Sequence, residues 1–153
     1  MNKILKTKYG IFFALFILFM IERASKYFVI NKLPSQGVYF FKYLQLQLHI
    51  NTGIAWGLNL PQFVIFTLII IIILFLFYYF LKSIKKNNFV YTFLLGLVIV
   101  GALANLLDRI VYQGVVDFIQ IGIWPNFNLA DVFISSGVLI LLFLNIKKSP
   151  RKI

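Results

Sequence analysis

The sequence contains no cysteine and only one histidine, His49. The absence of cysteine excludes disulfides, a cysteine nucleophile, thiolate zinc sites and iron–sulfur clusters. A single histidine also excludes a multi-histidine metal site within one chain. We therefore expect no metal and no cofactor, and any acid–base chemistry falls to carboxylates, lysine or tyrosine.

Acidic residues are scarce as well. The chain of 153 residues has 4 of them against 15 lysine and arginine residues, a formal net charge of +11. In a soluble protein this excess of positive charge would suggest binding to nucleic acid. However, hydrophobic residues make up 61% of the chain and charged residues 12%, against roughly 45–50% and 25% in soluble domains. This composition predicts one integral membrane domain, residues 1–153, whose basic residues meet anionic membrane lipids and not nucleic acid.

Four apolar stretches each approach the ~20 residues that a membrane-spanning helix needs. They predict an α-helical membrane protein with transmembrane helices at about residues 11–30, 63–81, 89–111 and 129–146. Basic residues cluster before the first helix, between the second and third, and after the fourth, which places both termini in the cytoplasm. The first stretch lacks a small-x-small cleavage pattern, which indicates an uncleaved helix.

The first outer segment, about residues 31–62, predicts β-structure. Apolar and polar residues alternate from Leu44 to Asn51, a period typical of a half-buried strand. We expect a small extracytoplasmic β-sheet between helices one and two, with Val38–Tyr43 as a continuation or a partner of that strand. Asn51-Thr52-Gly53 is the turn signal that ends it.

Three further residues of the outer segments have simpler interpretations. His49 falls on the polar face of the predicted strand, and we expect a surface histidine there. Trp56 lies in the first outer segment and Trp124 in the second, about residues 112–128. Tryptophan is enriched at membrane–water interfaces, so both are predicted to be interfacial anchors.

The four acidic residues fall at the outer side of this topology. Glu22 lies towards the outer end of helix one, Asp108 at the outer end of helix three, Asp117 in the second outer segment and Asp131 at the start of helix four. Ionisable groups near membrane depth are functional candidates by default. Each of the four therefore needs an explanation.

Glu22 and Asp108 have basic neighbours. Glu22 can pair with Arg23 or with Lys26, which shares its helix face, and Asp108 can pair with Arg109. Two interpretations stay open for these residues: charge pairs that stabilise helix ends, or parts of a functional site.

Asp117 and Asp131 have no obvious local partner. Asp131 stands at a helix N-terminus, so a helix cap is one interpretation of it. If the two carboxyls meet in a low-dielectric pocket, one holds a proton while the other is a base. Such a pair suits aspartic peptide hydrolysis, in which one carboxylate takes a proton from water and the other donates one to the substrate.

Four runs of the sequence resemble the lipoprotein signal peptidases (signal peptidase II). They are Asn51–Trp56 (NTGIAW), Gly101–Arg109 (GALANLLDR), Gly114–Phe118 (GVVDF) and Phe127–Asp131 (FNLAD), and they follow in the same order over essentially the whole chain. The resemblance implies a bacterial intramembrane aspartic endopeptidase of four spans. Its activity is removal of the signal peptide of prolipoproteins just before the diacylglyceryl-modified cysteine.

The same resemblance implies roles for individual residues. Asp117 and Asp131 become the catalytic pair, Arg109 a donor to the substrate backbone or lipid ester, and Asn128 a residue that orients a carboxyl group. The full set of implied substrate-binding or supporting residues is Asn51, Gly53, Asn105, Asp108, Arg109, Asn128, Glu22 and Lys26. The implied partner is a lipid-modified prolipoprotein, cut at the outer face of the bacterial cytoplasmic (inner) membrane, and we expect a monomer.

Two positions depart from the family pattern. The first helix usually carries Asp-Gln before the lysine, whereas this chain has Glu22 and Arg23. Ala104 stands where the family usually has glycine, which adds a methyl group in a close-packed helix. Neither position belongs to the implied catalytic pair.

Three other classes of protein are alternatives to the peptidase. A small membrane transporter or proton-coupled channel would also use membrane carboxylates, but transporters favour midplane sites and internal repeats. A non-enzymatic scaffold explains a Glu22–Lys26 pair but leaves Asp117 and Asp131 unexplained. A Ser25–Lys26 hydrolase is disfavoured because adjacent helical residues do not face each other.

Overall fold

The computed structural model describes residues 2–53 and 60–148. This part of the chain forms four helices and three strands in the order α1 (Lys3–Lys32), β1 (Val38–Phe41), β2 (Leu44–Asn51), α2 (Gln62–Lys85), α3 (Phe89–Tyr112), β3 (Val115–Ile121) and α4 (Leu129–Lys148). Each of these four helices is long and apolar enough to cross a membrane. The prediction of four transmembrane helices is confirmed.

The helices extend beyond the apolar stretches that predicted them. α1 begins at Lys3 instead of about residue 11, and the side chain of Asn2 caps it by accepting a hydrogen bond from the Ile4 N–H at 3.3 Å. α2 likewise continues through Lys82 to Lys85. Lysine is a good helix former, so hydropathy marks the segment suited to lipid and not the end of the helix.

α3 is the central helix of the bundle and contacts the other three. It buries side chains along most of its length, whereas α1 buries only Leu15, Glu22, Lys26 and Val29. The outward faces carry exposed apolar side chains such as Phe13, Phe75 and Leu139, each at least 60% exposed. An apolar outer surface of this extent is suited to contact with lipid.

Small residues bring α3 and α4 close together. A Cβ atom added to Gly101 of α3 would lie 2.6 Å from the carbonyl oxygen of Ala130 and 2.8 Å from Ile134 of α4. One added to Gly137 of α4 would lie 2.6 Å from Val98 of α3. Glycine at such contacts lets helix backbones approach closely in membranes, and here it holds the start of α4 against the second half of α3.

The three strands form one antiparallel sheet in the order β1-β2-β3. β1 is the hairpin partner of β2, which decides between the two possibilities left open for Val38–Tyr43. The expectation that the sheet derives only from the segment between helices one and two was incomplete, because β3 comes from the segment between α3 and α4. The run Val115–Ile119 is rich in β-branched residues, which favour strands, and it was the signal for this third strand.

The pattern of burial in the sheet differs from the predicted one. Leu48 and Ile50 of β2 are 41% and 38% exposed, whereas the first four residues of β3 are buried. The predicted burial of one face of β2 is therefore wrong for these two residues, and the most buried strand is β3, at an edge of the sheet. His49 is exposed, which confirms a surface histidine. Trp124 is 61% exposed, Trp56 lies outside the described residues, and the anchor role of both stays a prediction.

The close contact at Gly101 leads to a testable prediction about helix packing. We expect Gly101→Ala to destabilise the folded protein by about 1–3 kcal/mol, since an overpacked helix contact forces backbone shifts. The control is Gly10→Ala in α1, where an added Cβ meets nothing within 4 Å and alanine is the better helix former. Thermal unfolding in detergent measures both, and equal unfolding temperatures for the two variants would contradict the packing argument.

Candidate active site

A cavity of about 830 Å³ lies where α3, α4 and the sheet meet. Asp117 and Asp131 both line it, although they come from different elements. Asn51, Asn105 and Arg109 are its other large polar side chains near the carboxyls. Most of the remaining wall is apolar and consists of Val115, Ile121, Trp124, Pro125, Phe127, Val132 and Ile134.

Asp117 is held from two sides by amide groups. The strand β3 carries it at a position that is 2% exposed. Its Oδ1 accepts a hydrogen bond from Asn128 Nδ2 at 2.7 Å, and its Oδ2 accepts one from Asn51 Nδ2 at 3.1 Å. Pairing of β2 with β3 places the end of β2, and with it Asn51, beside Asp117. Both carboxyl oxygens therefore have a defined position.

The pKa of Asp117 is raised from 3.8 to about 6. Burial is the largest cause, because it penalises the charged form, and the nearby charge of Asp131 raises the pKa further. Hydrogen bonds from Asn51 and Asn128 and the charge of Lys26 act in the opposite direction but are smaller. Asp117 is thus a carboxyl group able to keep a proton close to neutral pH.

The two carboxyl oxygens of Asp131 have different partners, one in a helix cap and one at the cavity. Asn128 Oδ1 accepts from the Asp131 N–H at 2.9 Å, and Asp131 Oδ2 accepts from the Asn128 N–H at 3.2 Å. This reciprocal pair is a capping box at the start of α4, so the helix-cap interpretation describes one oxygen of Asp131. Its other oxygen, Oδ1, accepts from Asn105 Nδ2 at 2.8 Å. The helix N-terminus favours a negative charge at this residue.

Two asparagines connect the carboxyl groups. Asn128 Nδ2 donates to Asn105 Oδ1 at 3.1 Å as well as to Asp117, and Asn105 donates to Asp131. Asn128 is fully buried and Asn105 is 8% exposed. The fold thereby brings together two carboxyls that are 14 positions apart in the sequence and joins them through one chain of hydrogen bonds.

A cluster of four charges, in which Glu22, Lys26 and Asp108 are buried and Arg23 is half-buried, lies next to these hydrogen bonds. Lys26 Nζ contacts Glu22 Oε1 and lies 2.6 Å from Asp108 Oδ2. Arg23 Nη1 lies 2.6 Å from Asp108 Oδ1 and 3.6 Å from Glu22 Oε2. Glu22 thus pairs with both of its predicted partners. Among the described residues, Asp108 pairs with Arg23 and Lys26 and not with Arg109, the partner suggested by the sequence.

Arg109 instead holds the turn after β2. Its Nη2 donates to the Gly53 carbonyl at 3.1 Å and its Nη1 to the Asn105 carbonyl at 3.4 Å. Gly53 N–H in turn donates to Asn51 Oδ1 at 3.1 Å, which supports the predicted turn. Arg109 lines the cavity, so a guanidinium group stands beside the two carboxyls.

Arg23 is the member of the site that the sequence did not assign. The sequence predicts it only as a possible partner of Glu22 and as a departure from the family pattern, yet it also donates to Asp108 and, at 3.3 Å, to the carbonyl of the fully buried Ala104. The signal was its position one residue after Glu22 in an otherwise apolar helix. Ser25 donates to the Glu22 carbonyl at 2.7 Å, and the ammonium of Lys26 is surrounded by other partners.

The helices and the carboxyl-lined cavity define a multi-pass membrane protein with an acidic site at one end of its bundle. A family model described as signal peptidase (SPase) II matches residues 14–147, so the chain belongs to the signal peptidase II family. Membership makes it a membrane protease that removes signal peptides from lipoproteins.

Individual relatives agree with this assignment. The chain is 34% identical to a lipoprotein signal peptidase of Pelagibacter ubique, with 99% of both chains covered. It is 34% identical to one of Thermodesulfovibrio yellowstonii, with 88% of this chain and 93% of the relative covered. A solved bacterial membrane enzyme has a TM-score of 0.78 at 25% identity, covering 92% of this chain and 94% of that one. The similarity extends over nearly the whole fold.

The buried charge cluster leads to an expected effect on stability. Asp108→Asn leaves Arg23 and Lys26 with one carboxylate between them, and breaking a buried pair costs about 3–5 kcal/mol. We expect a loss of that size in the free energy of unfolding. The double variant Arg23→Gln/Asp108→Asn removes one charge of each sign and is expected to recover part of it. If the double variant is less stable than Asp108→Asn, charge balance is not what stabilises the cluster.

The raised pKa of Asp117 leads to an expected pH dependence. The folded protein binds the proton more tightly than the unfolded chain, so the stabilisation is complete below the unfolded pKa and is lost as pH rises through about 6. A change from 3.8 to about 6 corresponds to about 3 kcal/mol. We expect the unfolding temperature to fall between about pH 4 and pH 7, and to fall less in Asp117→Asn. The same decline in both proteins would contradict this origin.

Proposed function

We propose that this protein is an intramembrane aspartic endopeptidase that cuts prolipoproteins just before their diacylglyceryl-modified cysteine, with Asp117 and Asp131 as its catalytic pair. The observation that carries the proposal is the shared cavity. Two carboxyls from β3 and α4 line it, and amide donors hold each of them in place. Family membership supplies the lipoprotein substrate, and the site supplies the chemistry.

The two aspartates have different surroundings, which suggests different roles. Asp117 is almost completely buried and has a pKa raised to about 6, so it is suited to hold the proton. Asp131 is partly exposed to the cavity and stands at the N-terminus of α4, where a negative charge is favoured. We assign Asp131 as the general base and Asp117 as the general acid, with the pair titrating as one coupled unit.

In the first step, the Asp131 carboxylate takes a proton from water while the water oxygen bonds to the scissile carbonyl carbon. Asp117 donates its proton to the carbonyl oxygen, which produces a neutral tetrahedral diol. In the second step, Asp131 passes its proton to the leaving nitrogen as the carbon–nitrogen bond breaks. A hydroxyl proton of the diol returns to Asp117, and both carboxyls regain their starting states.

The rest of the cavity suits a lipid-anchored peptide. Its apolar wall between Ile121 and Ile134 can contact the signal helix or the acyl chains, and the Arg109 guanidinium can donate to a backbone carbonyl or an ester oxygen. We propose that the protein acts as a monomer. The transporter alternative has no supporting observation, since the four acidic residues gather at one end of the bundle.

The proposed location follows from the basic residues. Lys-rich segments at the start of α1 and between α2 and α3 lie at the end of the bundle away from the sheet. The positive-inside rule places that end in the cytoplasm. The sheet and the carboxyl pair are then at the outer face of the bacterial cytoplasmic membrane, where a membrane-anchored prolipoprotein presents its cut site.

Cleavage of a lipidated prolipoprotein in detergent or liposomes tests the catalytic pair. We expect Asp117→Asn and Asp131→Asn each to lower kcat by about 10³-fold or more, the scale seen when a central catalytic group is removed. Mass spectrometry of the product is expected to show a lipid-modified cysteine at the new N-terminus.

The matched control is Ser83→Ala. It removes a buried 2.9 Å hydrogen bond to Thr92 between α2 and α3, roughly 20 Å along α3 from Asn105 by helix geometry. We expect this variant to cleave at the parent rate. Cleavage that persists in both aspartate variants would overturn the assignment of the pair.

A further inference from the structure

Lys26 is a fully buried lysine whose ammonium group lies close to three side-chain oxygen atoms of the site. Its side chain is 0% exposed. The ammonium group contacts Glu22, lies 2.6 Å from Asp108 Oδ2 and donates to Asn105 Oδ1 at 3.1 Å. An ammonium group has three N–H donors and no acceptor, so it can hydrogen-bond only to an acceptor such as the Asn105 oxygen. The carboxylates of Glu22 and Asp108 balance the positive charge of Lys26, and Asn105 is the neutral group among these three partners.

The contact with Lys26 determines how the Asn105 amide is oriented. An amide has one oxygen that accepts and one NH₂ group that donates. The oxygen of Asn105 accepts from Lys26 Nζ and from Asn128 Nδ2, and its nitrogen donates to Asp131 Oδ1. A flipped amide would set its NH₂ against two donors and its oxygen against a carboxylate. The ammonium group can only donate, so it excludes the flipped orientation.

The orientation of the Asn105 amide determines which hydrogen bonds both catalytic carboxyl groups accept. With its oxygen facing Asn128, Asn105 receives one N–H of the Asn128 amide, and the other goes to Asp117 Oδ1. With its nitrogen facing the cavity, it supplies the side-chain donor to Asp131. One fixed amide thus determines a donor to each aspartate.

A second connection runs through Asp108. Its Oδ2, which contacts Lys26, also accepts a hydrogen bond from the Val116 N–H at 3.1 Å. Val116 directly precedes Asp117 in β3. The cluster therefore also holds the backbone that carries Asp117.

Burying these charges requires a reason. Taking an ion out of water costs several kcal/mol, and apolar residues of similar volume are often at least as stabilising as a buried ion pair. An apolar side chain in place of Lys26 would fill the same space but remove one of the three contacts that fix the Asn105 amide. This contrast indicates that the lysine contributes to the site and not only to the packing of α1 on α3.

We propose that Lys26 is a positioning residue of the peptidase, which acts by fixing the Asn105 amide so that its N–H meets Asp131 and its oxygen meets Asn128. This inference rests on the proposed catalytic role of Asp117 and Asp131. A residue that positions the catalytic pair affects the chemical step. Its loss is therefore expected to lower kcat and to leave KM nearly unchanged.

The test compares two neutral replacements of Lys26 in a Glu22→Gln background. Removing Lys26 alone would leave two buried carboxylates opposite Arg23, whereas Glu22→Gln/Lys26→Met and Glu22→Gln/Lys26→Gln both keep the Arg23–Asp108 pair and a balanced charge. Methionine and glutamine have similar lengths, but only glutamine offers an N–H to Asn105. The pair therefore isolates the hydrogen bond from charge and from volume.

We expect kcat of the methionine variant to fall about 10- to 100-fold below that of Glu22→Gln, the scale of a small misplacement of catalytic groups. KM is expected to change little, and the glutamine variant is expected to recover most of the lost kcat. Rates are measured on lipidated prolipoprotein and divided by the folded fraction from thermal unfolding. Equal kcat in the methionine and glutamine variants, or a loss confined to KM or to the folded fraction, would overturn the proposal.

Asn105→Asp gives an independent measurement that leaves Lys26 in place. Aspartate keeps an oxygen towards the ammonium but loses the N–H that Asn105 donates to Asp131. We expect a kcat loss at least as large as that of the methionine variant, and parent kcat in Asn105→Asp would refute the proposed route. The aspartate variants separate the two proposals: activity that survives both Asp117→Asn and Asp131→Asn refutes the catalytic pair, whereas unchanged kcat in the Lys26 variants refutes only the positioning role.

Discussion

The structure depends on the pairing of charges that are buried in an otherwise apolar helix bundle. Lys26 Nζ of α1 lies 2.6 Å from Asp108 Oδ2 of α3, and this contact joins the two helices. Glu22 and Arg23 complete a group of two acids and two bases with no net charge. An unpaired member would carry the full desolvation cost of an ion. The geometry of the bundle at this depth is therefore restricted to arrangements that keep all four in contact.

The same charge cluster also positions the sheet and the carboxyl pair, because Asp108 accepts a hydrogen bond from the backbone of β3. β3 is the element that carries Asp117, and its pairing with β2 brings Asn51 to the same carboxyl. On the other side, close contact at Gly101 holds the start of α4 against α3 and keeps Asp131 next to Asn105. The two halves of the site thus depend on different contacts of one central helix.

The sequence predicted those parts of the fold that have a local or compositional signal. Four long apolar runs indicated four helices, and alternation from Leu44 to Asn51 indicated a strand. The third strand was missed because a short apolar run such as Val115–Ile119 has no period of its own beside a membrane segment. The start of α1 and the end of α2 were missed because lysines extend these helices beyond their apolar parts.

The contacts in the site that the sequence did not predict join residues far apart in the chain. The partner of Asp108 was sought in the adjacent Arg109, whereas its actual partners lie 85 and 82 positions earlier. The cap formed by Asn128 and Asp131 spans three residues and was anticipated. The sequence does not predict that Asp117 and Asp131 meet, because hydropathy does not determine how β3 docks on α4. Resemblance to a family named Asn51 and Asn105, but not the direction in which each amide points.

The distance in sequence between the members of the charge cluster has a consequence for synthesis and insertion. Glu22, Arg23 and Lys26 emerge from the ribosome in the first helix, about 80 residues before Asp108. Until α3 arrives, α1 carries one more positive than negative charge in this part, and an unpaired charge within a membrane segment is costly. The charges of the first helix are therefore fully paired only once the third helix has joined it.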